Sequence, residues 1–354
     1  MELENDMTIF KYLEANNNQL LSSMDRLDIK EFFFLLDKYY LEYRNTLGIN
    51  KDITFGMEIE MEHFKGGVED FWPFELEIYK IVGNNDWVVK NDITLEWGRE
   101  LATEIYSDGM KVWEDLKKVL EFSREYCEIG IKCAGHVNIG SQIFGNEPLY
   151  WNRFLKLWSV YENVIYRFGY GEYLTHFPFI TYSGKPISKI IFDKINFLDG
   201  KRFESAFDVI HCLYSPGMNK DFLKKNAVSF LSMYSFLDYS ILQDGCRIEF
   251  RNFLGTLDEI IWQNNINFII KLMLYCKSPQ FDDDLLNKRM IEIDGIFGDL
   301  SMYSKIYLEQ AIELCDMIFD NNLDKIYFLK QYVKFFDMSD KSFVKSKKMT
   351  VTNC

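Results

Sequence analysis

Four short stretches of this chain alternate, residue by residue, between apolar and ionic or polar side chains: "GMEIEME" (56–62), "GRELATEIY" (98–106), "GHVNIG" (135–140) and "GCRIEFRNFLG" (245–255). A period of two is the side-chain period of a β-strand and cannot be satisfied by a helix, where neighbours three and four apart share a face. Each stretch therefore lays an apolar row on one face (Met57/Ile59, Leu101/Ile105, Val137/Ile139, Ile248/Phe250) and a polar row on the other. Apolar rows go to a core, so the polar rows share the opposite side of a sheet that is open on that side.

Between these strands the period changes. Residues 109–130, 148–168 and 219–240 show helical spacing, as do segments near 258–276, 284–298 and 302–336. A helix is also expected over 7–45, with Ser23 or Asp25 as its cap, while 169–218 is mixed. Strands separated by single helices of unequal length suggest an α+β fold rather than regular βαβ units. The expectation is a curved, mainly antiparallel sheet with its site on the concave face and helices on the other side. The chain then divides into an N-terminal helical extension (1–50), a catalytic domain (51–275), a C-terminal helical region (276–337) and a polar basic tail (338–354). No fixed-period repeat is present.

A net charge of −14 repels nucleic acid and anionic membranes, and it suits metal cations or cationic substrates. The seven cysteines form no C-x-x-C pair, and neither a leader nor a membrane span is evident, which points to reduced thiols in the cytoplasm. Structural zinc lacks its four closely spaced ligands. There is no P-loop or dinucleotide-binding glycine motif.

Taken singly, each polar row has an ordinary explanation: a solvated sheet face, or cross-strand ion pairs contributing less than about 1 kcal/mol each. Together they bring Glu58, Glu60, Glu100, His136 and Glu249 to one surface beside Arg247 and Arg251. Two arginines cannot neutralise so many carboxylates and also stay free. Hard divalent cations can, because they take carboxylate oxygens and accept an imidazole to complete the shell. Arginines beside such cations suit a transferring phosphoryl group.

The segments 55–62, 91–105, 133–141 and 246–258 resemble, in order and spacing, the four motifs of the bacterial amidoligase family. That family belongs to the carboxylate–amine ligases related to glutamine synthetase and glutamate–cysteine ligase. The resemblance spans roughly residues 53–258 and implies ATP with magnesium or manganese on the concave face. It implies Glu58, Glu60, Glu100, His136 and Glu249 as metal ligands, Arg251 on the γ-phosphate or acyl phosphate, and Arg247 on a substrate carboxylate. Asn138 stands where the family often carries a second His, in a position implied to contact nucleotide, and Thr94 replaces a Ser.

The implied reaction activates a carboxylate as an acyl phosphate, which an amine attacks to give an amide. Glu62 and Glu104 are the candidate bases for the amine proton. The aromatic, glycine-containing stretch 167–186 is a candidate lid, with an ordinary surface loop as its alternative. The substrates implied are small-molecule or peptide carboxylates and amines, with a homo-oligomer left open. Two rivals remain: a cysteine-dependent acyl or amide transferase using Cys133 (or Cys246) with His136, and a non-catalytic binding protein that keeps the ligase fold.

Overall fold

The computed structural model describes residues 41–333 except 84–86, 131, 172–183, 189, 192–202, 214–223, 231, 233–245 and 293–306. The helix expected over 7–45 and the basic tail lie almost wholly outside the described residues. The described part of that helix, 41–45, carries no helical turn.

The fold is α+β. Strands β1 (Thr54–Met61), β2 (Val88–Asn91), β3 (Arg99–Ala102), β4 (Tyr106–Ser107), β5 (Ala134–Gly140), β6 (Val228–Ser229) and β7 (Arg247–Leu254) form one open sheet. Its order is β2-β3-β1-β5-β7-β6, with β4 also on β1, and each pairing between these described strands is antiparallel. The alternation places Met57, Ile59, Leu101, Val137, Ile139, Ile248 and Phe250 in the core, whereas Ile105, expected beside Leu101, lies past the end of β3 and is exposed.

Eight described helices accompany the sheet: α1 (Phe71–Val82), α2 (Met110–Tyr126), α3 (Pro148–Tyr170), α4 (Ala206–Leu213), α5 (Glu259–Lys277), α6 (Asp283–Glu292), α7 (Leu308–Ile318) and α8 (Asn322–Tyr332). Several starts are written in local chemistry. Glu147 caps α3 through Leu149 N–H with Pro148 in the first turn, and Asp258 caps α5 by accepting from the N–H groups of Ile260 and Ile261. Helix α3 covers the apolar face under β7, where Phe154 and Trp158 meet Phe250. Helix α2 stacks Trp113 on Phe55 of β1. Phe328 of α8 stacks on Phe168 of α3, so the C-terminal helices share this core.

Four segments differ from the expected reading. The single helix over 302–336 is two helices parted at Phe319–Asn321, because the Asn321 side chain caps α8 by accepting from Asp324 N–H. Residues 228–229, expected within a helix, form the short edge strand β6 against Phe250 and Glu249; the apolar run around them reads the same in either period. Helices α1 and α4 were not apparent from spacing.

Asp108 anchors the segment before β1. Its carboxylate accepts from Thr46 Oγ1 (2.6 Å), the Leu47 and Ile49 N–H groups, and Trp113 Nε1 (2.7 Å).

One irregularity interrupts the alternation beside the site. Register along β5 and β7 shifts between Gly135↔Phe253 and Val137↔Phe250, so Arg251 and Asn252 together oppose the single residue His136. This is a β-bulge, which twists a strand and redirects a side chain. Here it buries Asn252 and Phe253 in succession and leaves Arg251 on the polar face beside the imidazole.

Candidate metal and phosphate site

Cross-strand register carries the polar rows together. Glu60 of β1 faces Glu100 of β3, Glu58 faces His136 of β5, and Asn138 faces Glu249 of β7. His136, only 1% exposed, is the hub. Its Nδ1 lies 3.2 Å from Glu58 Oε2 and 3.6 Å from Glu249 Oε1, and its Nε2 lies 3.6 Å from Glu60 Oε1. Two donor sets result, Glu58/His136/Glu249 and Glu60/Glu100/His136, each with donor atoms within 4.8 Å of one another.

Four protein cations balance these carboxylates. Arg251, 10% exposed, binds Glu249 and reaches within 3.5 Å of His136 Nδ1. Arg247 sits 4.0 Å from Glu58, and Lys90 of β2 donates to Glu100 at 2.9 Å. His136 is the fourth: burial and Arg251 oppose its charge, but the Glu58 hydrogen bond and the Glu60 and Glu249 carboxylates raise its pKa. Burial likewise opposes ionisation of Glu58. His136, with help from Lys90 and Arg247, nevertheless lowers that carboxyl to about 2. Glu60 is raised, chiefly by burial, although Ala134 N–H donates to its Oε2 at 2.7 Å.

Lys90 is the residue that sequence reasoning missed. Its signal was present, because in a β2–β3 hairpin it lies directly opposite Glu100.

Several expected residues lie elsewhere. The buried Glu62 carboxylate accepts from Glu96 N–H at 3.0 Å and meets His63 Nε2 at 3.4 Å. Glu104 follows the end of β3 and contacts Lys111 of α2 at 3.3 Å. The Thr94 hydroxyl donates to Asp92 in an exposed turn. Of the lid stretch 167–186, residues 172–183 lie outside the described residues. Cys133 is buried, and burial pushes its thiol far up, against thiolate chemistry; Cys246 is buried too.

The residues fit a hard divalent cation. His136 Nε2 is fully buried with no hydrogen-bond partner among the described residues, and carboxylate oxygens from different strands surround it. No helix among the described residues is long and apolar enough to cross a membrane. No protein-family model matches the sequence, and no curated protein matches it.

Proposed function

We propose that this protein is an ATP- and divalent-cation-dependent carboxylate–amine ligase acting on the polar face of the sheet. The observation that carries the reading is the convergence of Glu58, Glu60, Glu100 and Glu249 on the buried imidazole of His136, with two arginines alongside. Glu58, His136 and Glu249 would hold one cation, and Glu60 and Glu100 with His136 a second. When bound, such a cation neutralises charge on phosphate oxygens.

The chemistry transfers the γ-phosphoryl group of ATP to a carboxylate oxygen, releasing ADP. The amine nitrogen then attacks the acyl carbon, phosphate leaves, and one proton is lost as the amide forms. Arg251, two residues along β7 from Glu249 and on the same face, is the side chain suited to the phosphoryl oxygens, since a guanidinium forks onto such oxygens. Arg247, half exposed, suits an incoming carboxylate or phosphate. Glu62 and Glu104 have no part in the proposed step, because Glu96 and His63 hold the first and Lys111 the second.

One observation favours the non-catalytic reading. Lys90, Arg247 and Arg251 already pair with Glu100, Glu58 and Glu249 in the cation-free protein, and the surrounding carboxylates favour the protonated form of His136.

The test is turnover. Protein, ATP and magnesium are incubated with pooled carboxylates and amines; ADP release and new amides are followed by mass spectrometry, with Glu249→Gln as control. Amide formation that needs magnesium and Glu249 supports the ligase. Turnover blocked by iodoacetamide but indifferent to EDTA would establish the cysteine transferase instead. Absence of both turnover and cation-dependent nucleotide binding would leave the non-catalytic protein.

A further inference from the structure

Asn138 links the two halves of this site. Its Nδ2 donates to Glu58 Oε1 at 3.2 Å, and its Oδ1 accepts from Arg247 Nε at 2.9 Å. The amide has no choice of orientation, because a guanidinium only donates and an ionised carboxylate only accepts. Direct contact between the outer groups is weak, with Arg247 Nη2 4.0 Å from Glu58. The amide is therefore the connection.

The surroundings fix this bridge. Asn138 is 8% exposed and pairs on one side with Gly56, which has no side chain to compete for the space. On the other side it pairs with Glu249. The backbone of Arg247 is pinned at the start of β7, where its N–H donates to Ser232 Oγ and its carbonyl accepts the Ser232 hydroxyl. The Arg247 side chain is 50% exposed, and its Nη1 has no partner among the described residues. One end of the unit is thus a carboxylate held ionised among candidate cation donors. The other end is a guanidinium turned to solvent with donors to spare.

We propose that Asn138 is a positioning residue that couples cation and anion binding, so that the site takes the divalent-cation complex of a phosphate or polyphosphate as one ligand. This rests on reading the polar face as a cation–nucleotide site. A cation on Glu58 draws that carboxylate toward itself. The Asn138 amide then holds Arg247 at a fixed offset, where its free edge meets the anion that the cation carries. Without the amide, Arg247 keeps its charge but loses its direction.

The experiment measures binding of Mn2+ alone, a non-hydrolysable ATP analogue alone, and both together, by calorimetry. The proteins are wild type, Asn138→Leu, Arg247→Ala and the double variant, with melting temperatures recorded in parallel. In wild type, Mn2+ strengthens analogue binding. Loss of a charge-assisted hydrogen bond makes the expected drop in that enhancement in Asn138→Leu roughly tenfold or more, with Mn2+ affinity changed far less. Arg247→Ala then costs much less in the Asn138→Leu background than in wild type, a coupling that general loosening of the fold would not produce. Should Asn138→Leu fail to fold, the isosteric Asn138→Asp keeps the acceptor for Arg247 and sets an anion against Glu58. It is expected to retain the Arg247 effect while weakening the enhancement. Additive effects of the two substitutions, with wild-type enhancement retained, would overturn the coupling and leave the nucleotide site standing. A wild-type protein that binds no Mn2+–analogue complex would overturn both.

Discussion

Replacing Glu58 by glutamine tests whether the polar face is an electrostatic unit before any ligand enters. Glu58 ionises at about 2 rather than its ordinary 4.5, held there against burial by His136. One pH unit of such displacement corresponds to about 1.4 kcal/mol, so the ionised carboxylate contributes at most about 3–4 kcal/mol to the cation-free fold. The same contact raises His136, so the two effects are one interaction seen from both ends and are not added. A depressed carboxyl stabilises fully above its ordinary 4.5, and that stabilisation fades as pH falls toward about 2. A raised imidazole stabilises fully below its ordinary 6.5 and loses the effect as pH climbs through the raised value. Both conditions hold only between 4.5 and 6.5. Urea unfolding in a chelator, near pH 5.5, is therefore expected to show Glu58→Gln less stable than wild type by about 2–3 kcal/mol. The gap should narrow toward about pH 3, and again at alkaline pH. Equal stabilities near pH 5.5, or a gap independent of pH, would refute the pairing.

Three further outcomes follow from the geometry. Cation binding must displace the proton on His136, so Mn2+ affinity measured by calorimetry should rise with pH through the raised imidazole value, with proton release detectable as a buffer-dependent heat. Gly169→Ala would set a Cβ 2.0 Å from the Asn252 carbonyl oxygen, so α3 and β7 must part by about 1.4 Å to restore ordinary contact. That should cost roughly 1–3 kcal/mol or more in urea unfolding, and should weaken cation–nucleotide binding by displacing Asn252, the neighbour of Arg251. Cys133 should resist iodoacetamide in the native protein and react after unfolding, as read by peptide mass mapping, because burial raises its thiol well above neutrality.

The strands that carry the site were legible because alternation is a local signal. Each run needs only its own residues to declare a face, and register then brought Glu58, Glu60, Glu100, His136 and Glu249 together as expected. What alternation cannot express is where a strand stops or slips. Glu104 continues the pattern of Glu100 and Ala102, yet β3 ends at Ala102 and Glu104 turns to Lys111. Glu62 stays in phase with Glu58 and Glu60, but the chain beyond β1 bends at His63, which has a positive φ of 57°, and the carboxylate closes onto Glu96 N–H. The bulge opposite His136 is invisible to a period of two: alternation alone sets Arg251 on the polar face, and the bulge breaks the pattern just after it by burying Asn252 and Phe253 in succession. The charge balance is hidden from the sequence for a related reason. Lys90 lies on a short edge strand whose other residues are partly or fully exposed, so only its pairing with Glu100 reveals it as a counter-charge.

The most direct measurement is thermal unfolding of wild type and Glu249→Gln with a non-hydrolysable ATP analogue, each with and without magnesium. Ligand at about 100 times its dissociation constant adds about 2.7 kcal/mol, a readily visible rise in melting temperature. The account expects that rise in wild type only when magnesium and nucleotide are both present, and its loss in Glu249→Gln with the fold intact. A wild type indifferent to the pair, or a Glu249→Gln protein that responds as wild type does, would contradict it.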